Sequence, residues 1–389
     1  MLQRYDGRDL GASPHIAVLG SCKVGNFVVT LPLLRLLRRR YPKAWIDFWG
    51  SEATKDFEIA LCGDDQPLNW RISWDHSDAS AGILHSIANA ASERRQQAGP
   101  LDLLINCDGF NPLTQTLSSW LEPRWVAGGS LRADGRAMVP WGTDAQQRFL
   151  GDPDWDSTAF LERYQGIFHS NYIAELLCRM AYLEPSADDL ASIDLPWQSP
   201  PFSVPELLIH ATTTRAAKIW PFQHWRQVLA WCRDRSLSVG LVGAPPNRQR
   251  EEYHAGGGED ELLHAFPNTL IDLRGQTNLI QLAGACRLTK AVVSVDAGPM
   301  HVAAAVGTPT LAIVGNDDHA VGASPIRLWQ PRSPQLQRTI SSEHCSLCSE
   351  NRFRNDGCIA PTHRCMEGVA PEQVIQWLHT VLPSPMVTR

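Results

Sequence analysis

AVVSVDAGPMHVAAAVGTPTLAIVG, residues 291–315, decides how the fold is read. The stretch is long and weakly charged enough to raise a membrane span, but Asp296, Pro299, His301 and Pro309 interrupt it. Divided at those residues, it becomes an apolar strand at Ala291–Val295, a turn, a small-residue helix, a second turn and another apolar strand. A strand, a helix and a second strand of that length form a parallel crossover unit, which is right-handed.

The same alternation extends in both directions. Upstream lie strands at Glu206–Ala211, Leu237–Val242 and Thr269–Leu273, with helices at Phe222–Arg233 and Asn278–Leu288. Pro221 marks the opening of the first of these helices. Nearer the N-terminus, HIAVLG (His15–Gly20) reads as a buried strand, and Asn26–Arg40 as a helix with Val29, Leu33, Leu36 and Leu37 on one face. Arg35, Arg38, Arg39 and Arg40 suit the negative end of that helix dipole. A strand at Trp45–Gly50, helices near Ala53–Leu61 and Ala81–Ala98, and a strand at Leu101–Cys107 follow. Gly128–Asp156 reads as an irregular excursion and Tyr164–Tyr182 as a helix. Pro185–Pro205 carries five prolines without periodicity and is the candidate linker. The expectation is an α/β chain of two Rossmann-like domains facing a cleft: residues 1–190, residues 200–375, then a tail at 376–389.

Composition narrows the function classes. The chain has 389 residues, long enough for two cores, and is 43% hydrophobic and 20% charged, which excludes disordered and fibrous classes. With 35 Lys+Arg against 41 Asp+Glu the net charge is −6, which argues against a broad nucleic-acid surface. The 14 tryptophans are expected chiefly in the cores. The start, MLQRYDGRDLGASPH, lacks the apolar region of a signal peptide, so a soluble cytoplasmic protein is expected. Self-association and peripheral contact with an inner membrane are further expectations for its partners. Gly20–Gly25 has phosphate-loop spacing, but Asn26–Phe27 stands where Lys and Ser/Thr are required. GxGxxG after a strand, HExxH and GxSxG are all absent, which removes the main support for dehydrogenase, zincin and serine-hydrolase readings.

Three constellations remain. HATTTRAAKIWPFQHW (His210–Trp225) ends a strand, then presents Thr212, Thr213 and Lys218 before a helix, a set suited to a diphosphate. SVDAGPMHVA (Ser294–Ala303) puts Asp296 at a strand end, with Gly298 opening a helix whose free N–H groups favour an anion. Asp296 would repel a phosphate, so it is expected to orient the loop or hold a sugar hydroxyl. Cys345, Cys348, Cys358 and Cys365 have the spacing C-x2-C-x9-C-x6-C within loop 343–366, which suits a structural Zn or Fe better than disulfides. The other cysteines, Cys22, Cys62, Cys107, Cys178, Cys232 and Cys286, are scattered and read as reduced thiols.

These segments carry a resemblance. SVDAGPMHVAAAVGTPTLAIVG resembles the signature segment of glycosyltransferase family 9. HATTTRAAKIWPFQHWRQVL is similar to the donor-diphosphate segment of the bacterial ADP-heptose heptosyltransferases, and IAVLGSCKVGNFVVTLPLLRLLRRRYP to their first strand, loop and helix. The resemblance implies a GT-B fold with a C-terminal cysteine-rich metal-binding loop. It further implies inverting transfer of heptose from an ADP-sugar to a saccharide or protein hydroxyl, without a catalytic metal. Carried over by position, Thr212, Thr213 and Lys218 hold the diphosphate, while Asp296, Ala297, Gly298 and His301 line the donor pocket. The cysteine loop is similar to one that carries iron in the autotransporter-modifying heptosyltransferases.

The chain departs from that pattern at three places. Ala297 stands where the family commonly has Thr, and GAPPNRQREE delays the ribose-binding acid to Glu251 and Glu252. Gly25-Asn26 replaces the family's Gly-Asp, whose carboxylate is the general base, and an amide cannot accept that proton. Asp108, directly after the strand at Leu101–Cys107, is the substitute to test. The alternatives are a catalytically silent sugar-nucleotide-binding protein of the same fold, or a transferase using another nucleotide sugar.

Overall fold

A computed structural model of the chain describes residues 2–76, 80–154, 158–253, 257–315 and 325–383. The chain divides into two compact units, Met1–Leu190 and Ala191–Arg389.

In the first unit six strands form one parallel sheet: β1 (Gln3–Arg4), β2 (His15–Leu19), β3 (Trp45–Ser51), β4 (Trp70–Trp74), β5 (Leu103–Asn106) and β6 (Trp125–Gly128), ordered β1-β6-β5-β2-β3-β4. All five residues of β2 and all four of β5 are buried. Burial on both faces is why these strands read as unbroken apolar runs rather than alternating ones. The chain starts its crossovers at β2, winds outward through β3 and β4, then returns to β5 on the other side, in register Leu19 with Asn106. The order therefore reverses between β2 and β5, which leaves the loops after both strands side by side at their carboxyl ends.

The second unit repeats the plan with β7 (Leu207–His210), β8 (Val239–Leu241), β9 (Leu270–Asp272), β10 (Ala291–Val295), β11 (Thr310–Ile313) and β12 (Leu336–Thr339). Their order is β12-β11-β10-β7-β8-β9, all parallel, with the reversal between β7 and β10 in register Ser294 with His210. The core joins Trp220, Trp225, Val228 and Leu229 to strand residues Leu207, Ile209, Val293 and Val295. Helix Pro371–Val381 packs onto helix Phe222–Arg233. Trp377, Leu378 and Leu382, in the stretch expected to be a tail, are thus buried in this core. The last residues of that stretch, 384–389, lie outside the described residues.

Several elements escaped the pattern reading. Helix Val24–Arg40 opens two residues before Asn26, so Asn26 sits in its first turn. Of the helix expected over Tyr164–Tyr182 only Ile173–Met180 forms, and the helix before it, Thr158–Arg163, ends ahead of Tyr164. The break is held by Glu175, whose carboxylate accepts the backbone N–H groups of His169 and Ser170, each at 2.8 Å, and the Arg179 Nε donor at 2.9 Å. The linker contains a short helix, Ala187–Ala191. Strands β1, β4, β6 and β12 were not expected, because they are short or mix Trp, Arg and Ser with apolar residues.

Candidate active site

At the β7/β10 reversal two loops leave adjacent strand ends. The first carries Thr212, Thr213 and Lys218; the second carries Asp296, Ala297 and Gly298 and opens helix Gly298–Ala305, with Pro299 in its first turn. Ligands of open α/β sheets bind outside such a reversal. The structure brings the two segments together through one ion pair. Lys218 Nζ donates to the carbonyl oxygen of Asp296 at 2.8 Å and to its Oδ2 at 3.1 Å. The two side chains are only 17% and 10% exposed, so the pair is shielded from bulk water.

His301 lies one turn into the helix and is buried. Burial pushes its imidazole down to about 4; the Lys218 charge adds to that, and Asp296 opposes it. It is therefore a neutral ring at pH 7, and its Nδ1 has no partner among the described residues. Ala297 and Gly298 are half-buried and edge the same spot.

Thr212 and Thr213 are buried. The Thr212 hydroxyl accepts from Gln249 Nε2 at 3.3 Å and lies close enough to the Glu259 carboxylate to favour its charged form. Glu259 is also paired with Arg274 at 3.1 Å, and Arg274 in turn binds Asp260 and Asp272, each at 2.8 Å. Burial raises the Glu259 carboxyl to about 7 despite the Arg274 charge. Nothing in the spacing pointed to this network; Glu259, Asp260 and Glu261 stand in the first turn of helix Gly258–Ala265, where acids favour the dipole. Glu251 and Glu252, weighed as ribose ligands, are exposed at the end of helix Pro246–Glu252, where Glu252 binds Arg248 at 2.8 Å.

In the first unit Asn26 is half-buried, and its Nδ2 donates to Ser21 Oγ at 2.8 Å. Asp108 leaves the end of β5; its N–H bonds Asn106 Oδ1 at 3.0 Å, and its Oδ2 accepts from Asn111 Nδ2 at 3.1 Å. Asn111 caps helix Pro112–Trp120. Both residues stand at the β2/β5 reversal, and among the described residues no hydrogen bond joins them.

All ten cysteines are free thiols. Cys348 and Cys365 are buried, and Cys345 and Cys358 are half-buried. Burial raises the Cys365 thiol to about 12, with Cys345, Cys348 and Cys358 near enough to raise it further. Asn355 Nδ2 points at Cys348 Sγ, 3.2 Å away. Even so, among the described residues no group of three or more His, Cys, Asp or Glu is arranged to hold a metal ion, so the expected metal-binding loop is a four-thiol loop without a formed coordination sphere. Among the described residues, too, no helix is long and apolar enough to cross a membrane.

Known proteins resemble the chain. Lipopolysaccharide heptosyltransferase 1 of Escherichia coli K12 is 34% identical over 113 residues, 29% of this chain and 32% of that protein. Lipopolysaccharide heptosyltransferase 2 of the same strain is 23% identical over 94% of this chain and 98% of its own length. The solved structure of the E. coli ADP-heptose lipopolysaccharide heptosyltransferase II superposes with a TM-score of 0.62 at 19% identity, over 95% of this chain and 98% of that one. The iron-containing dodecameric glycosyltransferase TibC from enterotoxigenic E. coli H10407 superposes at 0.56 with 13% identity, over 95% and 76%. At such identities the superpositions speak for the two-sheet GT-B-like fold. The sequence profile of Glycosyltransferase family 9 (heptosyltransferase) matches residues 161–356, half of the chain, and takes in both segments that meet at Lys218 and Asp296. The chain belongs to glycosyltransferase family 9, the heptosyltransferase family.

Proposed function

We propose that the protein transfers a heptose from ADP-heptose to a saccharide hydroxyl of the lipopolysaccharide-core type. The observation that carries this reading is the shielded Lys218–Asp296 pair at the β7/β10 reversal, beside the N-terminus of helix Gly298–Ala305. In inverting transfer the acceptor oxygen attacks the anomeric carbon as the ADP oxygen leaves, so negative charge grows on the diphosphate. Lys218, once it shares or gives up the Asp296 carboxylate, and the N–H of Gly298 at the helix N-terminus meet that charge. Thr213 lines the same loop, and Thr212 is the anchor that ties the loop to Gln249. Neutral His301 and Asp296 offer polar atoms to the sugar hydroxyls, with Ala297 leaving room for them.

Asp108 is the group we assign to take the acceptor proton, since Asn26 cannot. Asn26, held by Ser21, orients the acceptor instead. The assay is calorimetry with ADP. Lys218→Ala should weaken binding about tenfold or more, because a charge-assisted bond is worth ~1.5–3 kcal/mol. Unchanged affinity removes Lys218 from the site.

The four-thiol loop is read as a structural metal site for Zn or Fe. Support comes from four free thiols on one loop, from Asn355 pointing an N–H at the Cys348 sulfur, and from the iron content of TibC. Bound there, the ion would cross-link Cys345, Cys348, Cys358 and Cys365. The dodecameric TibC also supports self-association of this chain, and the lipopolysaccharide relatives support work in the cytoplasm against the inner membrane surface. A protein hydroxyl as acceptor is the variant reading. A catalytically silent nucleotide-sugar binder is favoured by one observation, the amide at Asn26, and product formation separates it from an enzyme.

A further inference from the structure

Loop 343–366 lies far in sequence from Lys218, yet it holds the turn that carries that lysine. Ala217, the residue before it, is fully buried, and the loop satisfies both of its main-chain polar groups. Its N–H donates to the carbonyl oxygen of Asp356 at 2.9 Å, and its carbonyl accepts from His363 Nε2 at 2.8 Å. Two residues earlier Arg215 Nε donates to the carbonyl oxygen of Asn355 at 3.1 Å, with its guanidinium 5.8 Å from the centre of the Phe353 ring. The Lys218 N–H then closes the turn on the Arg215 carbonyl at 3.0 Å. Residues Arg215–Ala217 are thus clamped at three points by Asn355, Asp356 and His363, which alternate with Cys348, Cys358 and Cys365 along the chain.

We propose that the cysteine loop is a positioning element of the nucleotide site, with His363 the side chain through which it fixes Lys218. Of the three clamping bonds, only the one from His363 is made by a loop side chain; the other two use main-chain carbonyls. Removing it leaves a buried carbonyl unpaired at the residue that aims the lysine. The inference rests on the reading of Lys218 as the diphosphate ligand.

The test is a double-mutant cycle on ADP affinity by calorimetry, run well below the melting temperature of every variant. His363→Ala should weaken ADP binding about threefold to tenfold. His363→Gln, which can still donate to the Ala217 carbonyl, should recover most of that loss. In a Lys218→Ala background, His363→Ala should cost nothing further, which a general loosening of the fold would not produce. If Lys218→Ala itself leaves ADP affinity unchanged, the diphosphate reading fails and this inference with it. If Lys218→Ala weakens binding but His363→Ala does not, or if the two losses simply add, this inference alone is overturned.

Discussion

Lys218 Nζ is bonded to both the carbonyl and the carboxylate of Asp296, so the cation assigned to the donor diphosphate already has an anionic partner. A diphosphate must share or displace that carboxylate. Asp296→Asn keeps the shape and the carbonyl bond while removing the competing charge. ADP should then bind as tightly or up to about tenfold tighter, whereas Lys218→Ala weakens it at least about tenfold. Calorimetry on the two variants checks the order; weaker ADP binding by Asp296→Asn contradicts it.

His301 gives the second unit an acid lability. Its folded value of about 4 lies below the ordinary 6.5, so protonation favours the unfolded chain. Its contribution is complete above about 6.5 and is lost as pH falls through 4, on the order of 3 kcal/mol in all. Urea unfolding at pH 7 and pH 4.5 should show a smaller acid loss for His301→Gln than for the unsubstituted protein.

Glu259 acts in the opposite sense. Its folded value of about 7 lies above the ordinary 4.5, so the folded chain holds the proton more tightly. That contribution is present below about 4.5 and disappears as pH rises through 7. Glu259→Gln imitates the protonated form, and its stability relative to the native protein should improve from pH 5 to pH 8. A constant difference across that range contradicts the burial argument.

A metal at the cysteine loop would add its binding energy to folding. Protein purified without added metal should contain close to one Zn or Fe per chain by elemental analysis. Cys348→Ser should lose the ion and lower the melting temperature. Protein purified without any transition metal, whose melting temperature Cys348→Ser leaves unchanged, removes the site.

Asp108→Asn should lower kcat about 10²–10⁴-fold while leaving ADP affinity nearly unchanged, because a general base acts on the acceptor. If turnover survives that change, Asp108 is only the turn acid that Asn111 already satisfies. A rise in turnover of the same order for Asn26→Asp would then locate the missing carboxylate at its family position.

The sheet strands nearest the two reversals were legible because burial on both faces writes them as continuous apolar runs, as in HIAVLG and AVVSV. The edge strands β1, β4 and β12 were not, since an edge has weaker burial and tolerates the Arg and Gln that break the pattern. Lys218 and Asp296 were legible from strand-end chemistry, and the structure brings them into contact. Gln249 and His363 were not, because they meet their partners, Thr212 and Ala217, from 37 and 146 residues away, and no local spacing encodes such a pairing.

Transfer from an ADP-linked heptose is the reaction proposed for this site. The direct measurement is incubation of the protein with ADP-heptose and a heptose-free lipopolysaccharide-core acceptor, followed by mass spectrometry of the acceptor and assay of released ADP. The acceptor should become heavier by one heptosyl residue with release of an equal amount of ADP, both reduced by Lys218→Ala. Tight binding of ADP-heptose with no transfer to glycan or protein would contradict it and leave a nucleotide-sugar binder on a transferase fold.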